Sequence, residues 1–446
     1  MVTAASPVLA PLRFAPEREL IEDLFARFGL DALIDHFVGE GHVAEMYDFI
    51  LGSQLRLTPV LSPRLTGLLG EARAVLGFTA PVDLFVGPDA GINAGAIHSV
   101  TSERPHVLSL SSALVERMDD DELRFVLGHE LGHLAFDHYR ARLAGPAFGD
   151  DDDGTSRMPP LLARRLESWD RLAELSADRA GFRVIDGRLD VAVRVFFKLQ
   201  SGLGPEHLRF DVGAFLDQLE RLEALERREL LSVFSHPATP IRVRALQLFA
   251  PVPAGGDLAA VDAEVLRLAR LMDFEATRPL DVQARDFLLA GGVLAAMADG
   301  EEVTHEEWET LVQLLLPLCA DPEAELTRIT TADEADEILT RSATWLRDNA
   351  GEERFDLLRN LAHVVCVDGR LLGNEQRFVH QVADALAIPE RAADQILYDV
   401  LAGYLQSQAM RRAAVPLLGG RRAPRPPAPL PAPPTAGPAK ASGDDP

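Results

Sequence analysis

With 446 residues the chain is long enough for two or three domains and a large core. Its formal net charge of −25 argues against phosphate backbones and anionic membranes as partners for the body of the protein. Two cysteines, Cys319 and Cys366, both in apolar helical runs, give no disulfide framework.

Taken in chain order, the first twelve residues are mildly apolar, with no basic residue before Arg13, so they lack the charged start of a secretory signal. Residues 14–80 read as helical, with 17–28 and 43–55 as candidate elements. Residues 81–86 read as a short strand, closed by the turn Gly87-Pro88-Asp89. Residues 105–111 give a second strand, in which Val107-Leu108-Ser109-Leu110-Ser111 alternates. If this strand is an exposed edge, it can pair with an extended substrate backbone.

Residues 120–143 read as one long helix. Asp119 and Glu122 make a capping-box start, and Leu123, Val126, Leu127, Leu131 and Leu134 form an apolar stripe. Inside it lies Gly128-His129-Glu130-Leu131-Gly132-His133, an H-E-x-x-H pattern. Residues four apart share a helix face, so His129 and His133 can grip one metal ion. Glu130, one step round, is placed to reach water beside the metal. Zinc lowers the pKa of such a water to about 7, and a neighbouring carboxylate can take its proton and pass it to a leaving amine. Two histidines satisfied within a buried helix are the bland alternative. Gly128 and Gly132 each cost about 1 kcal/mol relative to Ala, which predicts a close approach of another backbone.

A zinc protease needs a third protein ligand. Phe136 and Tyr139 stand where a metzincin has Gly and His, and His138 is one residue off, turned away from the metal if the helix continues. Downstream, Arg171-Leu172-Ala173-Glu174-Leu175-Ser176-Ala177-Asp178 reads as a helix with Glu174 and Asp178 on one face. Alone, this is as well a solvated acidic pair near Arg171 and Arg179. Beside the upstream motif, Glu174 is the candidate third ligand. Asp178 is then the carboxylate that fixes a histidine tautomer.

H-E-L-G-H followed by E-L-S-A-D resembles the HtpX-like and CAAX-prenyl-endopeptidase type of zinc metallopeptidase, a gluzincin family. Ile92-Asn93-Ala94-Gly95, the strand at 107–111, and Ser235-His236-Pro237 with Pro240, Ile241 and Arg242 resemble further elements of that family in the same order. The resemblance spans residues 60–250. It implies one zinc per chain on His129, His133 and Glu174, with Glu130 as general base and Asp178 in support. It gives His236 a role in stabilising the tetrahedral intermediate, or in closing the site as a fourth ligand. Arg242 and Arg244 either face the cleft or pair with acidic neighbours. Unlike the membrane-embedded members, this chain has no apolar run of the ~20 residues a membrane helix needs, and residues 287–298 are too short. A cytoplasmic enzyme acting on protein or peptide substrates is expected, in protein quality control or stress response.

The acidic run Asp150-Asp151-Asp152-Asp153-Gly154 fails the EF-hand spacing and reads as a solvated loop. Residues 161–250 are mostly helical, and 251–256 read as a linker. Residues 257–412 are all-helical, with an internal repeat at an offset of 69. Ala298-Asp299-Gly300 with Glu306 aligns with Val367-Asp368-Gly369 with Glu375. This resembles the TerB-like helical domain, which implies a possible second metal site at Asp299, Glu306, Asp368 and Glu375 and a possible protein partner. The alternative is structural: Asp-Gly ends a helix, and Thr304 with Glu307 caps the next. Residues 413–446, rich in Pro and Ala, cannot bury a core.

The expected architecture is α+β, mostly α: residues 1–59 an N-terminal helical segment, 60–250 a zincin-type peptidase domain with a small sheet, then the helical domain and the tail. Neither an ATP-binding loop nor a nucleic-acid surface is indicated. The rival reading is a non-catalytic zinc-stabilised scaffold, or a metal- or stress-responsive adaptor acting through the TerB-like domain.

Overall fold

The computed structural model describes residues 7–99, 104–150, 156–225, 236–273, 276, 278–297, 304–367 and 369–414. Helices α1 (Ala15–Phe28), α2 (Leu30–Gly39) and α3 (His42–Ser53) come first, then strand β1 (Leu55–Leu57) and α4 (Pro63–Leu76). Leu55 therefore opens a strand rather than ending a helix. Strands β2 (Val82–Gly87), β3 (Ala94–Ile97) and β4 (His106–Ser111) follow, and lead into α5 (Ser112–Arg117), α6 (Asp120–Ala135), α7 (His138–Arg142) and α8 (Ala144–Phe148). Next come α9 (Pro160–Val184), α10 (Leu189–Ser201), α11 (Val212–Glu223), α12 (Thr239–Phe249) and α13 (Leu258–Ala269). The result is α+β and mostly α, as expected.

The four strands form one sheet in the order β1-β2-β4-β3. β2 and β4 run parallel, while β1 and β3 lie antiparallel to their neighbours. This corrects one expectation: the strand at 107–111 is internal, flanked on both sides, and the edge belongs to β3. Ala-Gly-Ala-Ile carries no alternation that marks it as a strand, yet pairing with β4 from Ala94↔Leu110 to Ile97↔Val107 holds it there.

Helix α6 starts on the predicted capping box, Asp119 accepting from the Glu122 N–H and Glu122 from the Asp119 N–H. It is buried on nearly every face, packed against α9, α4, α10 and β3. The two helices touch along a seam of small residues. A Cβ on Gly128 would sit 2.7 Å from Val184 Cγ2 and 2.9 Å from Gly181 Cα; one on Gly132 would sit 2.8 Å from Ala180 Cβ. The glycines thus serve the close approach their helix cost predicts.

The expected single helix over 120–143 is broken. α6 ends at Ala135, Asp137 takes a left-handed conformation (φ 57°), and α7 begins at His138. Asp137 faces His98, with Oδ1 2.8 Å from Nδ1. The break redirects His138, as described below.

The turn at 251–256 leads into α13, which packs back on the preceding helices. Asp262 pairs with Arg179 of α9 at 2.5 Å and accepts from the Ala15 N–H. Farther on lie α14 (Pro279–Ala296), α15 (His305–Leu315), α16 (Pro322–Arg328), α17 (Ala332–Asn349), α18 (Glu353–Val365), α19 (Gly373–Ala385) and α20 (Glu390–Ala414). They share a core around Phe287, Leu315, Leu346, Leu358 and Leu361, which Leu161 of α9 joins. Arg165 of α9 reaches Asp321 (2.8 Å) and Glu323 (3.3 Å), and Arg27 of α1 also pairs with Glu323. Cys319 and Cys366 are buried and are not joined in a disulfide. No helix among the described residues is long and apolar enough to cross a membrane.

Candidate metal centre

Side chains from α6 and α9 converge across the glycine seam. His129 and His133 lie one turn apart on α6, and their Nε2 atoms are 3.0 Å from each other. Glu174 of α9 stands opposite, with Oε2 3.5 Å from His129 Nε2 and Oε1 3.3 Å from His133 Nε2. These are the one group of three potential metal donors found among the described residues, all within 4.8 Å of one another. Bonds of about 2.0–2.2 Å in a tetrahedral zinc site place donors roughly 3.3–3.5 Å apart; the two imidazole–carboxylate separations match this and the two imidazole nitrogens stand slightly closer.

The electrostatics fit a cation as well. Burial disfavours a charged His129, but hydrogen bonds to Asp178 and Glu174 override it and lift its pKa to about 10. Burial pushes His133 the other way, to about 4. Glu174 is held well below the carboxylate range by both imidazoles, against its burial. The donor set thus pairs a cationic His129 with an anionic Glu174. Burial, the main influence on Glu130, pushes its carboxyl above the ordinary value.

Each donor is held from behind. His129 Nδ1 lies 3.0 Å from Asp178 Oδ1, the arrangement that fixes which nitrogen faces a metal. Arg242 of α12 clamps both oxygens of Asp178, donating from Nε at 2.8 Å and Nη2 at 2.6 Å, and rests on the Phe196 ring. It pairs with an acidic neighbour and lines the cleft at once, while Arg244 bonds Gln247 instead. Arg142 of α7 donates to Glu174 (3.3 Å) and Asp170 (2.8 Å).

His133 has a partner the sequence did not predict. Its Nδ1 is 2.8 Å from Nδ1 of His138. A continuous helix turns His138 away; the break at Asp137 brings it behind His133, on the side remote from the donors. Burial pushes His138 down to about 4. Arg142 and His138 were both missed because they lie beyond this break.

A cleft of about 920 Å³ opens over the donors. Ala94, Gly95 and Ala96 of β3 line it, as do the apolar Phe125, Val126, Val195 and Leu222. His236 stands at the mouth, 60% exposed, with Nδ1 3.5 Å from Glu174 Oε1. Ser235 lies outside the described residues, as do 151–155 of the acidic loop.

The acidic repeat is placed in part. Asp299 and Asp368 lie outside the described residues. Glu306 is exposed at the start of α15, whereas its neighbour Glu307 is buried and caps Thr304. Glu375 is buried and accepts from the Leu372 N–H, the same capping position on α19. The carboxylates that correspond in structure are Glu307 and Glu375.

Residues 96–148 match the family model of Peptidase family M48, and residues 285–397 match that of Tellurite resistance protein TerB. The chain is 31% identical over 204 residues to the plastoglobule-localized metallopeptidase 48, chloroplastic, of Arabidopsis thaliana, covering 41% of this chain and 55% of that protein. It is 26% identical to the protease HtpX of Acinetobacter baylyi, covering 36% of this chain and 65% of the relative. The HtpX of Acinetobacter baumannii is 25% identical, with 36% and 64% covered. The chain thus spans less than two thirds of the length of each. No solved structure matches. The chain is thus similar to M48/HtpX-like peptidases around the H-E-x-x-H helix and to TerB over its C-terminal helices.

Proposed function

We propose that the chain is a zinc-dependent endopeptidase of the gluzincin type, with zinc on His129, His133 and Glu174. The observation that carries this is the convergence of those three donors in a cleft that also holds a buried glutamate. Zinc, when bound, supplies a Lewis acid that polarises a carbonyl and makes hydroxide accessible near neutral pH.

The protein's own residues do the rest. Glu130, whose burial favours its protonated form, takes a proton from water and returns it to the departing amine. Asp178, locked by Arg242, holds the tautomer of His129. His236 at the mouth donates to the oxyanion of the tetrahedral intermediate. The outer edge of β3, small-chained at Ala94-Gly95-Ala96, pairs with an extended substrate backbone and reads little of its side chains. Extended segments of unfolded or damaged proteins are the substrates this favours, in a cytoplasmic quality-control or stress role. The TerB domain recruits a protein partner.

The test is cleavage of unfolded casein by the wild type and Glu130→Gln, with zinc measured on both. The expected result is one zinc on each and cleavage by the wild type alone. Equal cleavage by both sinks the assigned mechanism, and a wild type without zinc sinks the metal reading.

A further inference from the structure

We propose that Glu17 and His138 are positioning residues for this centre, forming a buried chain Glu17–His138–His133 that fixes the tautomer in which His133 offers Nε2 to zinc. The proposal rests on the metal reading above, but concerns residues outside the H-E-x-x-H and E-x-x-x-D motifs.

The argument is one of proton counting. Two imidazole nitrogens 2.8 Å apart, His133 Nδ1 and His138 Nδ1, share one proton: one donates and the other accepts. His133 Nε2 faces His129 and Glu174. A metal there takes the Nε2 lone pair, so the proton of His133 sits on Nδ1 and points at His138. Nδ1 of His138 must then be the acceptor, and a neutral His138 carries its own proton on Nε2.

That nitrogen is fully buried and has no hydrogen-bond partner within range. The acceptor facing it is Glu17 Oε1, at 3.8 Å. An approach of about 0.8 Å brings the pair to ordinary hydrogen-bond length. The rings of Phe136 and Trp169 flank His138 at 5.6 and 5.7 Å between centroids, leaving it little other freedom.

Glu17 is itself fully buried, an unusual place for a carboxylate on a first helix. Arg13 donates to it through Nε (2.9 Å) and Nη2 (3.0 Å), Trp169 Nε1 at 2.9 Å and Ser176 Oγ at 3.2 Å. Two of these three partners, Trp169 and Ser176, sit on α9, so the N-terminal helix is tied to the helix that carries Glu174. The two histidines then receive equivalent treatment. His129 meets the carboxylate of Asp178 directly, and His133 meets that of Glu17 through one intervening imidazole.

The experiment is zinc affinity by chelator competition on the full chain for the wild type, His138→Leu, His138→Asn and Glu17→Gln, with thermal melts as a folding control. His138→Leu leaves the His133 N–H without an acceptor and should raise the zinc Kd about 10–100-fold, the usual cost of losing such a partner. His138→Asn restores an acceptor oxygen at the Nδ1 position and should recover part of that loss, a rescue that mere core filling does not give. Glu17→Gln removes the terminal charge and should also weaken binding. In ¹⁵N spectra of the zinc-loaded wild type, His133 should carry its proton on Nδ1. Where His138→Leu fails to fold, His138→Asn and Glu17→Gln carry the test. Wild-type affinity in every folded variant overturns the chain and leaves the zinc centre standing. A wild type that holds no zinc refutes the centre, and the chain with it.

Discussion

Replacing Gly128 and Gly132 together by Ala tests whether the seam between α6 and α9 sets the geometry of the centre. The new methyls would meet Val184 Cγ2 at 2.7 Å, Gly181 Cα at 2.9 Å and Ala180 Cβ at 2.8 Å. Carbon contacts normally rest at about 3.5–4.0 Å, so relief requires the helices to part by roughly 0.7–1 Å. The His129–Glu174 and His133–Glu174 separations, now 3.5 and 3.3 Å, both cross that seam. Parting takes them to roughly 4 Å or more, beyond what a tetrahedral zinc spans with bonds of about 2.0–2.2 Å. Stability suffers less. Overpacking costs about 1–3 kcal/mol per site, while each Gly→Ala returns about 1 kcal/mol of helix propensity. The variant should therefore stay folded in a thermal melt yet bind zinc at least about tenfold more weakly, a loss on the scale of disturbing a ligand's support. A folded double variant with wild-type zinc affinity refutes the claim that the seam spaces the donors.

Three other outcomes follow from the same packing. Arg242→Met should lower stability by about 3–5 kcal/mol, because it strands Asp178 as a buried charge without its clamp; an unchanged melting temperature contradicts this. Glu17 is held well below the ordinary carboxylate range, since His138 and Arg13 outweigh its burial. A depressed folded pKa stabilises above the unfolded value of about 4.3 and is lost as pH falls below it, so Glu17→Gln should be destabilised at neutral pH and the gap should narrow in acid. Denaturant unfolding at several pH values measures this, and a gap independent of pH refutes it. Arg165→Glu reverses a cation facing Asp321 and Glu323, and should make the chain more sensitive to limited proteolysis between α13 and α14; an unaltered digestion pattern counts against that contact.

The parts of the centre that follow from local periodicity were legible in the sequence. The capping box at Asp119, the i,i+4 pairs His129/His133 and Glu174/Asp178, and the costly glycines each announce themselves within one or two turns. What was hidden depends on distant pairing. β3 is a strand because β4 offers a partner, not because Ala-Gly-Ala-Ile prefers to be one. The break before His138 is made by Asp in a left-handed conformation, where the usual mark is Gly. Glu17, at the start of α1, belongs to no motif that spacing along the chain singles out. One signal was available: Glu17 shares the buried face of α1 with Ile21 and Leu24, and a carboxylate on an apolar stripe needs a buried partner.

Helix α9 links these observations. Its second half supplies Glu174 and Asp178, packs closely on α6 and holds Ser176 against Glu17, which Trp169 near its middle also reaches. Its first half supplies Leu161 to the core of the C-terminal helices and Arg165 to their acidic edge. From Arg165 to Glu174 is about 13–14 Å at 1.5 Å per residue, without a proline or glycine between them to absorb a bend. A rod of that length cannot tilt at one end and stay fixed at the other when the seam tolerates less than an added methyl. Loss of the contact between Arg165 and the C-terminal helices therefore has a mechanical route to the spacing of Glu174 from His129 and His133. The restraint on that route is the Glu17 network, which pins α9 to α1 at Trp169, between the two ends, and at Ser176, just past Glu174.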